Sequence, residues 1–480
     1  MDDIRSFDKL FIGGQWVAPA GNEFIEVISP VTEQAIARVP DGTAADAERA
    51  IRAARRAFDH GEWPRLAPAE RATYLRRIGD EVKKRRAELE ETFVAEVGAP
   101  LATATAFHGR AMDMWDDNAS LPERATWEDP RQWPGGHGLL VKEPVGVVAV
   151  VIPWNAPICS ASSKMGQALA AGCPVILKPA PESPVSTMIL AEAIEAAGLP
   201  EGVVSIIPGG RELGEYIVSH KLVDAVTFTG STAAGKRVMS LCSQNITRVA
   251  LELGGKSAGI IADDVPLDRV LPDLAFAGIG HSGQVCAALT RVLVPRKRHD
   301  EVTEALAETF RSVVVGNPRD AGTHLGPLIA ERQRDRVEDY IGVGQNEGAK
   351  LVTGGGRPQH LSTGWFVEPT LFAQVDNSMR IAREEIFGPV VGVIPFDSVE
   401  EAIDLANDSD FGLSGAVYAS ENDLAESIAR RIRTGQVSVN SWDMCTSEPF
   451  GGFKQSGIGR EGSVEGMDTF LEKKLIQFKN

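Results

Sequence analysis

The chain has 480 residues, enough for two or three domains with substantial cores, and its 43% hydrophobic and 24% charged composition is that of an ordinary globular protein. A net charge of −17 argues against a general affinity for nucleic acid or anionic membranes. No apolar run reaches the roughly 20 residues needed to span a bilayer, Met1-Asp2-Asp3-Ile4-Arg5 lacks the basic-then-apolar pattern of a signal peptide, and the five cysteines (Cys159, Cys173, Cys242, Cys286 and Cys445) form neither a CxxC pair nor a metal-ligand cluster. A cytoplasmic address, no metal, no nucleic-acid partner and no membrane contact are the expectations.

Residues 8 to 40 alternate short apolar strings with turn residues, which suits a few short strands. Thr43 followed by Asp46 is a capping-box-like start, and Ala47, Ala50, Ile51, Ala54 and Phe58 keep helical spacing. A second helix is expected from Ala69 to about Val97, with Tyr74, Leu75, Ile78, Val82, Leu89 and Phe93 on one face. Residues 126 to 142 read as an excursion that turns at Gly135-Gly136. Strand-like runs then alternate with helices: Val145 to Ile152, Pro174 to Leu177, Val203 to Ile207 and Ala225 to Phe228. That order predicts βαβ units and a parallel sheet covered on both faces. After Gly254 a second alternation begins, with strands at Ala258 to Ala262, Arg291 to Val294, Phe366 to Phe372, Val390 to Pro395 and Val437 to Asn440. Helices are expected near Leu267 to Gly280, Asp300 to Val314 and Val399 to Ala406. The break near residue 253 reads as a domain boundary.

Two strings carry chemistry. In Gly283-Gln284-Val285-Cys286-Ala287-Ala288 one thiol is flanked by small residues, so a carbonyl compound can approach the sulfur. A lone cysteine is ordinarily a packing residue, but a second string changes the balance. Glu252 interrupts the apolar run Val249 to Leu253, ahead of Gly254-Gly255-Lys256. A carboxylate in such a strand has its pKa raised, which suits a general base near neutrality.

Other strings suit a dinucleotide. Thr229-Gly230-Ser231-Thr232 joins a strand to a helix whose N-terminus can face a diphosphate, although it lacks the GxGxxG pattern. Ile152-Pro153-Trp154-Asn155 and Leu177-Lys178-Pro179 each end a strand, where open α/β sheets bind ligands. Taken alone, Lys178 reads as a solvated strand end, Trp154 as core, Asn155 as a turn cap, and Lys164 and Glu461 as surface charges.

Together, Glu252-Leu253-Gly254-Gly255-Lys256 and Gly283-Gln284-Val285-Cys286 resemble the paired signatures of the NAD(P)-dependent aldehyde dehydrogenase superfamily, with Ile279 departing conservatively from a usual aromatic. The likeness runs from Phe11-Ile12-Gly13-Gly14-Gln15-Trp16 to the last strand. It implies Cys286 as nucleophile, Glu252 as the base that activates water, Asn155 as an oxyanion donor, and Lys164 with Glu461 as a proton relay. It further implies a cofactor cleft of Ile152, Pro153, Trp154, Lys178, Gly230, Ser231, Leu253, Glu385 and Phe387. Pro181 stands where NAD-preferring relatives often carry glutamate, and Glu182 follows it, so NAD is favoured and NADP left open.

The implied aldehyde tunnel comprises Ala156, Cys159, Ser163, Val285, Trp442, Met444 and Phe450, with no arginine to hold a carboxylate and with small Ala156 and Ser163 leaving room. Apolar or aromatic aldehydes are therefore expected, oxidised to the free acid. The implied fold is α/β: two parallel-sheet α/β domains, one Rossmann-like for the cofactor (1–125 and 143–252, with about 456–466) and one catalytic (253–455), plus a small β oligomerisation flap (126–142 and 467–480). A homodimer or homotetramer is expected. The rival readings are a cysteine-dependent ester or thioester hydrolase and a catalytically silent structural member of the family.

Overall fold

Five strands, Val148–Val151, Val175–Lys178, Val204–Ile206, Ala225–Thr229 and Arg248–Glu252, run parallel in the spatial order third, second, first, fourth, fifth. They are almost wholly buried, because helices cover both faces, and that is why they read as continuous apolar runs rather than alternating ones. Antiparallel edge strands close the sheet: Leu10–Ile12 with Gln15–Val17 on one side, Gly457–Ile458 on the other. The order reverses between Val148–Val151 and Ala225–Thr229. At that switch point the carboxyl ends of adjacent strands diverge and open a crevice, into which Ile152-Pro153-Trp154-Asn155 and Gly230-Ser231 emerge.

This computed structural model describes residues 4–445 and 447–479. Met1–Asp3, Thr446 and Asn480 lie outside the described residues, and with them part of the N-terminal signal-peptide reading and the last position of the expected flap. A second sheet of seven strands begins six residues after the first sheet's fifth parallel strand, in the order Lys350–Thr353, Thr370–Ala373, Val390–Phe396, Arg291–Pro295, Ala258–Ile261, Gly415–Tyr418, Ser438–Val439. All its pairings are parallel except that of Lys350–Thr353. A three-stranded antiparallel sheet stands apart, its hairpin Glu128–Trp133 and Gly136–Pro144 paired to Leu471–Lys479 in register from Leu471↔Pro144 to Lys479↔Gly136. Among the described residues no helix is long and apolar enough to cross a membrane, and no group of three His, Cys, Asp or Glu side chains could hold a metal ion.

Two helical expectations change. The single helix expected over 69–97 is two, Pro68–Lys84 and Arg86–Val97, broken at Arg85 (φ −97°, ψ 8°). The break lies inside Lys83-Lys84-Arg85-Arg86, where no glycine or proline marks it; Leu89 packs with Leu75 and Ile78, whereas Phe93 turns to a separate cluster with Val97 and Phe107. A 24-residue helix, Leu101–Arg124, has no counterpart in the sequence reading. Its buried stripe mixes Ala104, Ala111, Trp115 and Ala119 with His108 and Asn118, which hides the apolar period. Each finds a partner inside the fold, His108 Nδ1 facing Ala104 O at 2.8 Å and Asn118 Nδ2 donating to Ser162 O at 2.9 Å, while His108 Nε2 is buried without one.

The helix Ala44–Asp59 starts as its sequence dictates, with Thr43 and Asp46 forming a reciprocal capping box. Asp46 Oδ1 also accepts the Ala20 N–H at 2.9 Å, tying the helix to the strand region before it. Thr43→Ala leaves a first-turn N–H without its acceptor. Urea unfolding is expected to show a loss of about 1 kcal/mol.

Candidate active site

A cavity of about 180 Å³ lies between the two large sheets. One wall is a single face of the helix Leu101–Arg124, formed by Thr103, Ala106, Phe107, Arg110 and Met114 at helical spacing. The opposite walls come from the switch-point loop (Asn155, Ala156) and the helix Pro157–Ala171 that follows it (Cys159, Ser163), the thiol loop (Gly280, His281, Val285, Cys286) and the late loops (Trp442, Met444, Cys445, Phe450, Glu461). Glu252 closes the inner end. All seven residues of the expected tunnel line this cavity, as do Asn155, Glu252, Cys286 and Glu461.

The thiol loop is held in an unusual conformation. After the helix Leu267–Ile279, three successive residues are left-handed: His281 (φ 54°), Ser282 (φ 55°) and Gly283 (φ 70°). For a residue with a Cβ this costs roughly 1–3 kcal/mol. Gly283 has no alternative, because a Cβ there would collide with the Gly388 carbonyl. Several bonds offset the strain: Ser282 Oγ donates to Gly326 O at 2.7 Å, and the Ile329 N–H donates to Gln284 Oε1 at 3.0 Å. His281 stacks on Phe93 and Phe107 at 5.7 and 5.2 Å between ring centroids. Burial pulls its pKa down to about 4, so the ring is neutral at pH 7, and with Nε2 2.9 Å from Asn155 O it is Nε2 that carries the proton and donates. This contact locks the backbone of Asn155 to the thiol loop. No signal in the sequence singled out His281.

The Cys286 thiol is pushed up to about 12, first by burial and then by the carboxylates of Glu385, Glu252 and Glu461. It therefore rests protonated at neutral pH. Asn155 Nδ2 donates one hydrogen to Gln284 O at 2.9 Å, and the amide keeps a second hydrogen for another acceptor.

Glu252 ends the strand Arg248–Glu252 and is buried, and its Oε2 has no hydrogen-bond partner. Burial, and next the nearby Glu461 carboxylate, hold its pKa well above the carboxylate range, against the pull of Lys164 and Arg460. Lys164 and Glu461, surface charges when read alone, are an ion pair: Lys164 is 1% exposed and its ammonium contacts Glu461 Oε1 and, at 3.1 Å, Thr227 Oγ1. Ser163 Oγ donates to the other Glu461 oxygen at 2.9 Å. A buried charge persists where it is paired and hydrogen-bonded in this way.

Toward the crevice, Glu385 Oε1 accepts the Gly255 N–H at 3.1 Å, and a Cβ on Gly254 would collide with the same carboxylate. Burial raises Glu385 to about 7. Phe387, itself left-handed (φ 61°), meets Trp154 edge-on at 5.4 Å. The Ile152 N–H donates to Lys178 O at 3.2 Å, Pro153 is half-buried, and Trp154 O accepts Ser183 Oγ at 3.0 Å. Leu253 packs over Gly235, near the start of the helix that Ser231 caps and Gly230 precedes. Lys178, expected at a solvated strand end if read alone, is 6% exposed; its ammonium hydrogen-bonds no described residue, and burial pulls it down to about 8 against Glu182 and Asp41. Glu182 is ion-paired to Arg332, so its charge is partly neutralised.

One expectation needs correction. The seven matched tunnel positions hold no arginine, but Arg110 lines the cavity, presented by the helix that the sequence reading missed.

Comparison with known proteins agrees with this geometry. The aldehyde dehydrogenase family model matches residues 16–476. The geranial dehydrogenase of Castellaniella defragrans is 41% identical over 469 residues, covering 97% of this chain and 98% of that protein. A Mycobacterium tuberculosis aldehyde dehydrogenase complexed with NAD+ superposes with a TM-score of 0.97 at 43% identity, covering 98% of each chain. A mutant of aldehyde dehydrogenase C from Pseudomonas syringae, complexed with NAD+ and octanal, gives 0.96 at 39% identity over 99% of this chain and 98% of that one.

Glu461→Gln removes the carboxylate that raises Glu252 and leaves the cation that lowers it. Titration of labelled glutamate carboxyls by carbon NMR is expected to move Glu252 downward, so that more of it is ionised at pH 7 in the variant than in the wild type.

Proposed function

The chain belongs to the aldehyde dehydrogenase family and is an NAD-dependent aldehyde dehydrogenase, and we propose that it oxidises apolar or aromatic aldehydes to free carboxylic acids through a thioester on Cys286. The observation that carries this reading is the convergence of Cys286, Glu252 and Asn155 on one largely apolar cavity. Octanal in the P. syringae complex and geranial as the C. defragrans substrate are apolar aldehydes, which supports the substrate class.

The crevice suits NAD. Lys178 offers an ammonium without a protein partner for a ribose hydroxyl, Gly230 and Ser231 lead into a helix N-terminus for the diphosphate, and Ile152, Pro153, Trp154 and Leu253 form the walls. Glu385 and Phe387 stand at the Gly254-Gly255 turn to hold the nicotinamide end. Glu182 favours NAD over NADP by repelling a 2′-phosphate, an effect that its pairing with Arg332 reduces. Bound NAD+ supplies the hydride acceptor.

The chain's own groups do the rest. Cys286 gives its thiol proton to the Glu252 carboxylate, which releases it by way of Glu461 before it is needed again, and the sulfur adds to the aldehyde carbon. The free hydrogen of Asn155 Nδ2 and the Cys286 N–H take the oxyanion, each worth roughly 3–4 kcal/mol in comparable sites. Once the carbonyl is restored as a thioester, Glu252 draws a proton from water, whose oxygen displaces the sulfur. A raised pKa makes that carboxylate a stronger base than an exposed one. Lys164, Glu461 and Ser163 pass the proton on. Glu252 is the reason to assign hydrolysis rather than transfer of the acyl group to coenzyme A.

We read 1–125 and 143–252, with about 456–466, as the cofactor domain, 253–455 as the catalytic domain, and 126–142 with 467–480 as an oligomerisation flap. Trp133, Leu475, Ile476 and Phe478 expose apolar surface on the three-stranded sheet, whose outer strands leave open edges. Such a surface is stable when a second copy covers it. Sedimentation at micromolar concentration is expected to give a dimer or tetramer; a monomer would refute the flap.

Formation of reduced nicotinamide from NAD and hexanal or benzaldehyde tests the chemistry. Cys286→Ala is expected to abolish it. Glu252→Gln is expected to keep a burst of one reduced nicotinamide per thiol while steady turnover falls roughly 10²–10⁴-fold. Loss of the burst along with turnover in Glu252→Gln would remove the hydrolytic role.

A further inference from the structure

Arg110 is the only arginine or lysine among the described residues that line the cavity. It shares a helix face with Phe107 and Met114, and its Nη2 donates to Asp443 Oδ1 at 2.9 Å. Asp443 lies between Trp442 and Met444, both of which line the cavity. Its position is fixed from two sides: the Met444 N–H donates to Oδ1 at 2.8 Å, and Gln436 Nε2 donates to its carbonyl at 2.7 Å. The pair thus joins the helix wall to the loop wall.

The side chains of Arg110 and Asp443 are 37% and 70% exposed, so the pair adds little stability. What it alters is charge. A bare guanidinium here would offer a forked site for a carboxylate entering the cavity. Asp443 already engages one arm of that fork, through the Nη2–Oδ1 bond. A substrate with a terminal carboxylate must either displace it or lie beside a like charge.

We propose that Asp443 is a specificity-determining residue that silences Arg110, reserving the cavity for aldehydes with uncharged tails, and that removing its charge admits aldehydes bearing a terminal carboxylate. This rests on the aldehyde oxidation assigned to the cavity. Asp443→Asn is the informative substitution, because the amide oxygen still accepts the Met444 N–H while the charge is gone. Arg110→Met does the opposite, leaving the Asp443 carboxylate unpaired at the wall.

The experiment measures kcat/KM for straight-chain aldehydes from butanal to octanal and for the aldehyde of each length that ends in a carboxylate, with NAD saturating. The enzymes are the wild type, Asp443→Asn, Arg110→Met and the double variant, each shown folded by its thermal transition. In Asp443→Asn the ratio of carboxylate-bearing to plain aldehyde is expected to rise roughly tenfold at one or more chain lengths, as a freed charge-assisted bond implies. The gain should appear in KM and shrink with added salt, because the attraction is screened. Arg110→Met should lower the ratio below that of the wild type, and the double variant should lose the gain. An unchanged ratio in folded Asp443→Asn, or the same gain without Arg110, overturns the proposal. Failure of the wild type to oxidise any plain aldehyde would instead overturn the reading on which it rests.

Discussion

The site depends on the company kept by one sulfur. Three carboxylates, Glu252, Glu385 and Glu461, act on the Cys286 thiol from within a protein interior, and each makes ionisation harder. Their repulsion is tolerated because each is managed differently. Glu461 is paired with Lys164, Glu385 is fixed by a backbone N–H, and Glu252 shifts its own proton affinity upward. The resting site therefore carries a protonated thiol and, in Glu252, a carboxyl group whose proton affinity burial has raised. A positive charge arriving at the Glu385 end of the crevice favours the thiolate by the same Coulomb term with its sign reversed. On the proposed role of Cys286, the arrangement links the ionisation of its sulfur to occupancy of the crevice.

That electrostatic arrangement needs backbones to approach more closely than side chains permit. Gly283 lies against Gly388, Gly255 against the Cys286 carbonyl, and Gly254 against the Glu385 carboxylate. Gly254 and Gly255 directly follow the strand Arg248–Glu252, so their two contacts seat the end of the first sheet against the second unit, whereas Gly283 packs the thiol loop against Gly388 within the second unit. His281 adds a further clamp, with its ring against aromatics from two helices and its proton donated to the Asn155 carbonyl.

The succession of parallel strands was legible in the sequence because most of them are short, largely apolar runs bounded by turn residues, whereas their spatial order was not. The capping box at Thr43 was legible for a similar reason, since its information is local. The paired strings around Glu252 and Cys286 carried the site by resemblance, and the residues they imply do meet in space. The helix Leu101–Arg124 was not legible. Its buried face is a third alanine and contains His108 and Asn118, polar residues whose partners come from the fold and not from the pattern. Missing that helix meant missing Arg110, and with it the charge at the cavity wall. The burial of Lys164 was hidden likewise, because a lysine in an alanine-rich helix looks the same in sequence whether it faces water or Glu461.

The cavity draws on residues from Thr103 to Gly462, a span of about three-quarters of the chain. During synthesis the thiol-bearing segment leaves the ribosome long before Glu461, which must pair with Lys164, and before the final strand that pairs with the hairpin. Until those last residues are made, Cys286 is an ordinary cysteine on a nascent chain and Lys164 has no counter-ion. The parallel strands of the first sheet, apart from its late edge strand, can form earlier, since domains generally fold in order from the N-terminus. The site is therefore among the last parts of the molecule that can be completed, because Lys164 must wait for Glu461 to be made.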